Sequence, residues 1–293
     1  MSSRISSVEA LTPAQLGAVQ QLAGAAPGAA DTPPISEQAT LRLTASAPVR
    51  HLLATAPSGA LLGYAQLDQA ENPVTVELVA TDPRVATDLL AAIDGDYRLW
   101  AHGEASVANQ AALLAGLAPV RTLLQLRRTL PDLQVAEVAP PAGITIRQYL
   151  PGQDDAGWLA VNARAFAHHP EQGSWTQREL AERLSASWFD PAGFLVAERR
   201  DSDGRPALVG YHWTKVHQET EPPVGEVYVL GIDPAAQGLR LGTVLLNEGL
   251  RYLQGRGLES VLLYVEESSG TAIHLYGRAG FTVFARDLQY ASS

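Results

Sequence analysis

Short blocks of apolar residues, some alternating with polar positions and some continuous, run through most of the chain, and their order predicts strands interleaved with helices. In the C-terminal half, Phe194-Leu195-Val196-Ala197 reads as a strand and Asp203-Gly204 as the hairpin turn after it. The next strand covers about Ala207 to Val216, and Gly225 to Ile232 is a third. Leu245, Leu246, Leu250 and Leu253 then fall in helical register, which predicts a helix over 241–253. Val261-Leu262-Leu263-Tyr264-Val265 reads as a buried strand, followed by a short helix from about Thr271 to Arg278 and a closing strand from Phe281. Upstream, a helical pattern over 155–187 supplies the remaining face.

The N-terminal half follows the same outline. Leu61-Leu62-Gly63-Tyr64 matches Leu208-Val209-Gly210-Tyr211, and Glu77-Leu78-Val79-Ala80-Thr81-Asp82-Pro83 echoes the strand ending Gly231-Ile232-Asp233-Pro234. A helix is expected around Ala86 to Ile93; Leu99-Trp100-Ala101 takes the place of Leu263-Tyr264-Val265, and Ala105 to Ala115 that of the last helix. Between the halves, Pro131, Pro140, Pro141 and Gly143 mark a stretch of little periodicity that suits a linker. The expected organisation is an N-terminal domain 1–131, a linker 132–143 and a C-terminal domain 144–293. Between Pro83 and the helix at Ala86 there is no room for a glycine turn like that after Pro234. The N-terminal half is therefore read as a degenerate copy whose phosphate loop has been lost.

A length of 293 residues accommodates two domains, and 46% hydrophobic with 18% charged residues describes a globular protein rather than a disordered one. The formal net charge of −10 argues against sequence-independent binding of nucleic acid, which needs Lys and Arg at phosphates. No cysteine is present, which excludes disulfides, thiolate zinc sites and a cysteine nucleophile. Met1 to Ser7 lacks an apolar leader core and no apolar run approaches a membrane span, so a cytoplasmic protein without membrane partners is expected. His168-His169 and the pair His212 and His217 have no accompanying carboxylates at ligand spacing, so no metal is expected.

Chemistry concentrates in the last third. Glu226-Val227-Tyr228-Val229-Leu230-Gly231-Ile232-Asp233-Pro234 runs into Gln237-Gly238-Leu239-Arg240-Leu241-Gly242 and then the periodic helix. A strand feeding a glycine-bearing turn that opens a helix puts bare N–H groups where an anion can sit. Farther on, Tyr276-Gly277-Arg278-Ala279-Gly280-Phe281 closes a helix and starts a strand. Together these segments resemble the Gcn5-related N-acetyltransferases (GNAT), which transfer acetyl from acetyl-CoA to an amine.

That resemblance implies two tandem GNAT-type α/β domains, each a mixed, mostly antiparallel central sheet flanked by helices. It implies acetyl-CoA as co-substrate, with the pantetheine arm along Leu230, Gly231 and Ile232. Gln237 to Gly242 corresponds to the family's pyrophosphate loop, continuing into Thr243, although Arg240 stands where the family has its first glycine. Ser269-Gly270-Thr271-Ala272-Ile273-His274 matches the second acetyl-CoA contact region, with Ser269 where Asn is usual. Glu226 corresponds to the carboxylate that holds and deprotonates the acceptor amine, directly or through water. Tyr276 corresponds to the tyrosine that protonates the departing thiolate.

A narrower resemblance rests on Phe166-Ala167-His168-His169-Pro170-Glu171-Gln172-Gly173, Gly210-Tyr211-His212-Trp213-Thr214-Lys215-Val216-His217, Gly225 to Val229, and Leu262 to Glu266. These segments are similar to the mycothiol synthases, a tandem-domain acetyltransferase family. That similarity implies acetylation of the cysteinyl amine of 1-D-myo-inositol 2-(L-cysteinylamino)-2-deoxy-α-D-glucopyranoside, with substrate contacts at Glu37, Glu171, Lys215, Glu226 and Tyr264. A small-molecule amine is then the partner, and two fused domains suit a monomer. His212 and Trp213 read as residues that shape the pocket or pack, and Trp158, Trp175 and Trp188 as core or helix-packing residues. Two rivals stay open: another small amine or peptide as acceptor, and a noncatalytic acyl-CoA-binding module.

Overall fold

The computed structural model describes residues 3–26, 32–44, 48–70, 72–131, 138–169, 172–200 and 203–292, so Glu171 and residues 132–137 of the expected linker lie outside the described residues. The first half of the chain forms β1 (Arg4–Val8), α1 (Pro13–Gly24), α2 (Glu37–Leu41), β2 (Val49–Thr55), β3 (Leu61–Asp68), β4 (Val74–Ala80), α3 (Pro83–Ala91), β5 (Tyr97–His102), α4 (Val107–Leu114) and β6 (Ala118–Thr129). The second forms β7 (Ile144–Gln148), α5 (Asp155–Ala165), α6 (Gln177–Leu184), β8 (Phe194–Arg200), β9 (Pro206–His217), β10 (Val224–Ile232), α7 (Leu241–Gly255), β11 (Ser260–Glu266), α8 (Gly270–Arg278) and β12 (Thr282–Ala291).

These elements make two compact units. The first holds Met1–Gln125, Val265–Ser269 and Val283–Ser293; the second holds Leu126–Tyr264 and Gly270–Thr282. Residues 126–131 count with the second unit and 265–269 and 283–293 with the first. The closing strand forms where the sequence predicts it, yet β12 pairs with β5, from Asp287 opposite His102 to Ala291 opposite Arg98. Hydropathy marks a strand but says nothing of which strand it pairs with.

In the first unit the strands run β1-β2-β3-β4-β5-β12. The pairs are antiparallel except β4 with β5, which is parallel from Val74 to Glu77. Period-two alternation builds a core on each face. Leu52 and Ala54 face Ala86, Leu89, Ala108 and Ala111 of α3 and α4, while Leu53 joins Val19, Ile35 and Ala39 on the other side.

In the second unit the order is β11-β10-β9-β8-β7, antiparallel apart from β10 with β11. One face packs Val209 and Ala197 against Leu241 and Leu245 of α7. The other packs Tyr211, Trp213 and Val196 against Trp158, Val161 and Leu180 of α5 and α6. The helical pattern over 155–187 divides into α5 and α6 because Thr176 and Glu179 form a capping box that starts a new helix. Before it, the Asn162 side chain donates to the Gln172 carbonyl at 2.6 Å and fixes the turn between them.

Candidate active site

Strand β10 continues well past its contact with β11. The parallel register covers only Gly225 opposite Val261 and Glu226 opposite Leu262, so from Val227 to Ile232 β10 is paired with β9 alone. A parallel neighbour that peels away leaves backbone donors and acceptors on the opened edge. Leu230, Gly231 and Ile232 all lie on this stretch. Gly231 rests on the Tyr211 ring so closely that an added Cβ would come within 2.7 Å of it. Tyr211 is itself clamped, its hydroxyl donating to Asn162 Oδ1 at 2.6 Å. The absence of a side chain at 231 is thus what lets the strand lie flat on a fixed ring.

The turn after β10 is anchored by Asp233. Its carboxylate accepts from Ala235 N–H at 2.9 Å and from Arg164 Nε and Nη2 at 2.8 and 2.6 Å. A 3-10 turn at Pro234–Ala236 follows, then Gln237, Gly238 with φ +79°, and Arg240 with φ 58°. Arg240 therefore holds a left-handed backbone conformation of the kind glycine adopts readily. As the residue capping α7 it makes no side-chain cap, so the helix opens with its first N–H groups uncapped by any side chain. Gly242 and Thr243 sit in that first turn, and Gln237, Gly238, Leu239 and Arg240 are exposed. In the first unit the equivalent helix α3 begins at once after β4. Asp82 Oδ1 accepts from Arg84 and Val85 N–H at 2.9 and 3.2 Å, so a built-in carboxylate occupies the donors an external anion would need.

Glu226 is buried and stands directly opposite Lys215 across the β9/β10 pair. Its Oε2 lies 2.7 Å from His217 Nε2, and His217 Nδ1 lies 2.9 Å from Glu219 Oε1. Burial pulls the His217 pKa down, but the hydrogen bond and charge of Glu226, aided by Glu219 and opposed by Lys215, raise it above the usual 6.5. Lys215 is buried with Nζ 4.9 Å from the Trp188 ring and 5.7 Å from that of Tyr228. Arg183 Nε donates to the Tyr228 hydroxyl at 2.9 Å while its guanidinium lies 4.0 Å from the Trp175 ring. Trp213 centres this aromatic group, stacked on Phe194 at 4.3 Å and edge-on to Trp158 and Tyr228. His212 points to the opposite face, its Nδ1 2.8 Å from the Leu245 carbonyl oxygen, and burial lowers its pKa to about 4.

Tyr276 is buried on α8 with its ring against Phe281 at 5.9 Å. Burial alone raises its pKa, and no described side chain hydrogen-bonds its hydroxyl. The charge of its phenolate would in turn raise the pKa of Tyr211, already pushed up by burial, so the two hydroxyls lie within electrostatic reach. Gly270, Thr271, Ala272, Ile273 and His274 form the first half of α8, with Thr271 and His274 exposed, whereas Ser269 counts with the first unit. Tyr264 on β11 is 40% exposed. Glu37 opens α2 in the first unit, behind the Ser36 cap. Among the described residues no group of three or more His, Cys, Asp or Glu is arranged for a metal ion.

Sequence reading gave Glu226 and Lys215 as substrate contacts through the resemblance, gave His217 no role, and gave none to Glu219, Arg183 or Tyr228. Their association depends on the antiparallel register that sets Val224 opposite His217 and Glu226 opposite Lys215, with a bulge between Val227 and Val229.

Residues 161–281 match the acetyltransferase (GNAT) family. Over nearly its whole length the chain is similar to proteins named mycothiol acetyltransferase. It is 46% identical to that of Streptomyces avermitilis, covering 98% of this chain and 94% of the relative. With that of Thermomonospora curvata it shares 47% identity, covering 97% and 96%. Among solved structures, a tandem GNAT protein from the clavulanic acid biosynthesis pathway has a similar fold, with a TM-score of 0.68 at 16% identity over 99% of this chain and 98% of that one.

Proposed function

The chain belongs to the mycothiol acetyltransferases of the GNAT family, and from that membership we propose the residues and the acceptor with which it works. It is an N-acetyltransferase of mycothiol synthesis. The acceptor is the cysteinyl amine of 1-D-myo-inositol 2-(L-cysteinylamino)-2-deoxy-α-D-glucopyranoside, and the products are mycothiol and CoA. The observation that carries the site is the buried Glu226 at the point where β10 leaves β11, next to an opened strand edge and an uncapped helix start.

Acetyl-CoA supplies the acetyl thioester. Leu230, Gly231 and Ile232 offer backbone groups to its pantetheine arm, and Gln237 to Thr243 with Ser269 to His274 hold the remainder. The start of α7, which follows the exposed Gln237 to Arg240, suits a pyrophosphate because Arg240 makes no side-chain cap to its N–H groups. Glu226 binds the substrate ammonium, whose unperturbed pKa is about 8, and takes its proton directly or through water. The freed amine attacks the thioester carbonyl without an acyl-enzyme. A backbone N–H on the opened edge stabilises charge as it develops on the carbonyl oxygen. Tyr276 then donates its proton to the leaving sulfur. Lys215 and Tyr264 meet substrate oxygens, while Glu37 and Glu171 join them on the resemblance alone. We read the first unit as a degenerate copy, and the Asp82 cap supports that reading. No described helix is long and apolar enough to cross a membrane; a cytoplasmic monomer is part of the same proposal.

Mass spectrometry of reactions with acetyl-CoA and the cysteinyl-glucosaminyl-inositol, run beside spermidine, an aminoglycoside and a short peptide, tests the assignment. N-acetylation confined to the cysteinyl substrate supports it, and turnover only on another amine overturns the acceptor. Two variants probe the site further. Tyr276→Phe should lower kcat by about 10- to 100-fold without lowering the melting temperature, because the hydroxyl has no described partner to lose. A drop in stability with unchanged kcat would make Tyr276 a packing residue. Arg240→Gly should keep the unfolding free energy within about 1 kcal/mol, since relief of the left-handed conformation offsets the entropy of glycine. Losing one exposed charge should raise the KM for acetyl-CoA by no more than about fivefold, and a collapse of acetyl-CoA binding would show that the arginine itself builds the loop.

A further inference from the structure

The geometry points to His217 and Glu219 as the route by which the proton collected at Glu226 leaves the site, with His217 a positioning residue that acts through Glu226. The inference rests on the reading of Glu226 as the base. A carboxylate that takes a proton from each ammonium must lose it again before the next turnover. The Glu226 side chain is only 9% exposed, so that proton needs a path. Lys215 stands directly opposite but as an ammonium has no lone pair to receive a proton. The Tyr228 hydroxyl nearby already accepts from Arg183.

His217 has the required two ends. Nε2 lies 2.7 Å from Glu226 Oε2 and Nδ1 lies 2.9 Å from Glu219 Oε1. Side-chain exposure climbs along this line from 9% at Glu226 through 20% at His217 to 70% at Glu219, so the line runs from the buried base to solvent. In the relay, the O–H bond of protonated Glu226 breaks as an N–H bond forms at Nε2 of neutral His217. The imidazolium then releases its Nδ1 proton to the Glu219 carboxylate and on to water. Glu226 is again a carboxylate, and the partly exposed imidazole recovers its starting tautomer by exchange with water.

The groups facing His217 are Glu226 from β10, Glu219 from the turn after β9, and Lys215 from its own strand. Their balance raises its pKa, and the relay uses the neutral ring, so kcat should climb with pH along an acid limb centred above 6.5. Glu219 is one of the groups holding the ring charged, so Glu219→Gln should move that limb to lower pH.

The experiment compares pH profiles of kcat for the full chain and for His217→Ala, His217→Gln, Glu219→Gln and Glu226→Gln, with acetyl-CoA affinity measured in each. Expected for His217→Ala is a loss of about 100-fold in kcat, an unchanged KM for acetyl-CoA, and recovery when imidazole is added in proportion to its free base. His217→Gln, which keeps a hydrogen bond to Glu226 but passes no proton, should stay impaired. The inference is overturned if His217→Ala keeps kcat within threefold of the parent, or if His217→Gln restores full activity while imidazole does nothing, which would make the ring a prop. Glu226→Gln should be inactive and deaf to imidazole. If it turns over normally, the base reading has failed and the relay falls with it, a result distinct from failure of His217 alone.

Discussion

Substitution of Glu226 by glutamine is expected to lower kcat by about 10²- to 10⁴-fold while leaving acetyl-CoA binding intact. The amide is close in size and can still pair with His217 Nε2, now 2.7 Å from Glu226 Oε2, so packing at this buried position is conserved. Lost are the charge that holds an ammonium and the basic oxygen that accepts its proton. At neutral pH an amine of pKa about 8 is mostly protonated, and a protonated amine has no lone pair with which to attack. Calorimetry with acetyl-CoA and steady-state kinetics with the cysteinyl substrate separate the two effects. Independently, Glu226 is one of the groups that raise the His217 pKa, so the glutamine variant should show that histidine titrating at lower pH by NMR. Turnover within threefold of the parent would remove Glu226 from the chemistry.

Much of the fold could be read from the chain because its strongest signals are local. The leucine spacing of α7, the apolar run of β11 and the glycine-bearing turn between β10 and α7 each specify an element from neighbouring residues. Glu226 and Tyr276 stand on the strand and the helix foreseen for them. Three things were not legible. The pairing of β12 with β5 is a choice of strand partner, and alternation carries no record of it. The continuous pattern over 155–187 hid a break that a capping box makes at Thr176. The His217 and Glu219 partners of Glu226 follow from strand register across a bulge. Arg240 is the instructive case between these: the sequence showed a missing glycine, and only the backbone shows that the residue takes a left-handed conformation of the kind glycine adopts readily.

The proposed reading, in which the second unit alone carries chemistry, has a counterpart in the first unit. Counting registers from the shared Gly-Tyr pair, Asp68 opposite Thr75 in the first unit corresponds to Lys215 opposite Glu226 in the second. The first unit thus has threonine where the base would stand, and Asp82 on the helix donors where a phosphate would sit.

What the first unit has instead is a buried charge cluster, and a second large effect is expected there: His102→Gln should destabilise the protein by about 3–5 kcal/mol. His102 Nε2 lies 3.1 Å from Glu77 Oε2 and Nδ1 lies 3.1 Å from Asp287 Oδ2, both carboxylates being buried. Burial opposes charge on the ring, but hydrogen bonds and charge from the two carboxylates prevail and lift its pKa to about 10. Glu77 is held below the usual carboxylate range although burial pushes the other way, because His102 and Ser36 hydrogen-bond to it. A group whose folded pKa is raised stabilises fully below its unfolded value and loses that contribution as pH rises through the folded one. The His102 share should therefore be complete below about 6.5 and fade toward about 10, while the Glu77 share fades as acid takes pH below about 4.5. Glutamine cannot carry the positive charge, so two carboxylates would be left buried facing an amide, and the fall in stability between pH 6.5 and 10 should vanish. Denaturant unfolding across that range reads both effects, and a variant with the parent's slope would show that His102 is not the titrating group. The cluster also reaches α2, because the Glu77 carboxylate accepts from Ser36 N–H at 2.5 Å and from Ser36 Oγ at 2.6 Å. Ser36 caps α2, and Glu37 is the first residue of that helix. Loosening this cap should therefore speed amide hydrogen exchange in the first turn of α2.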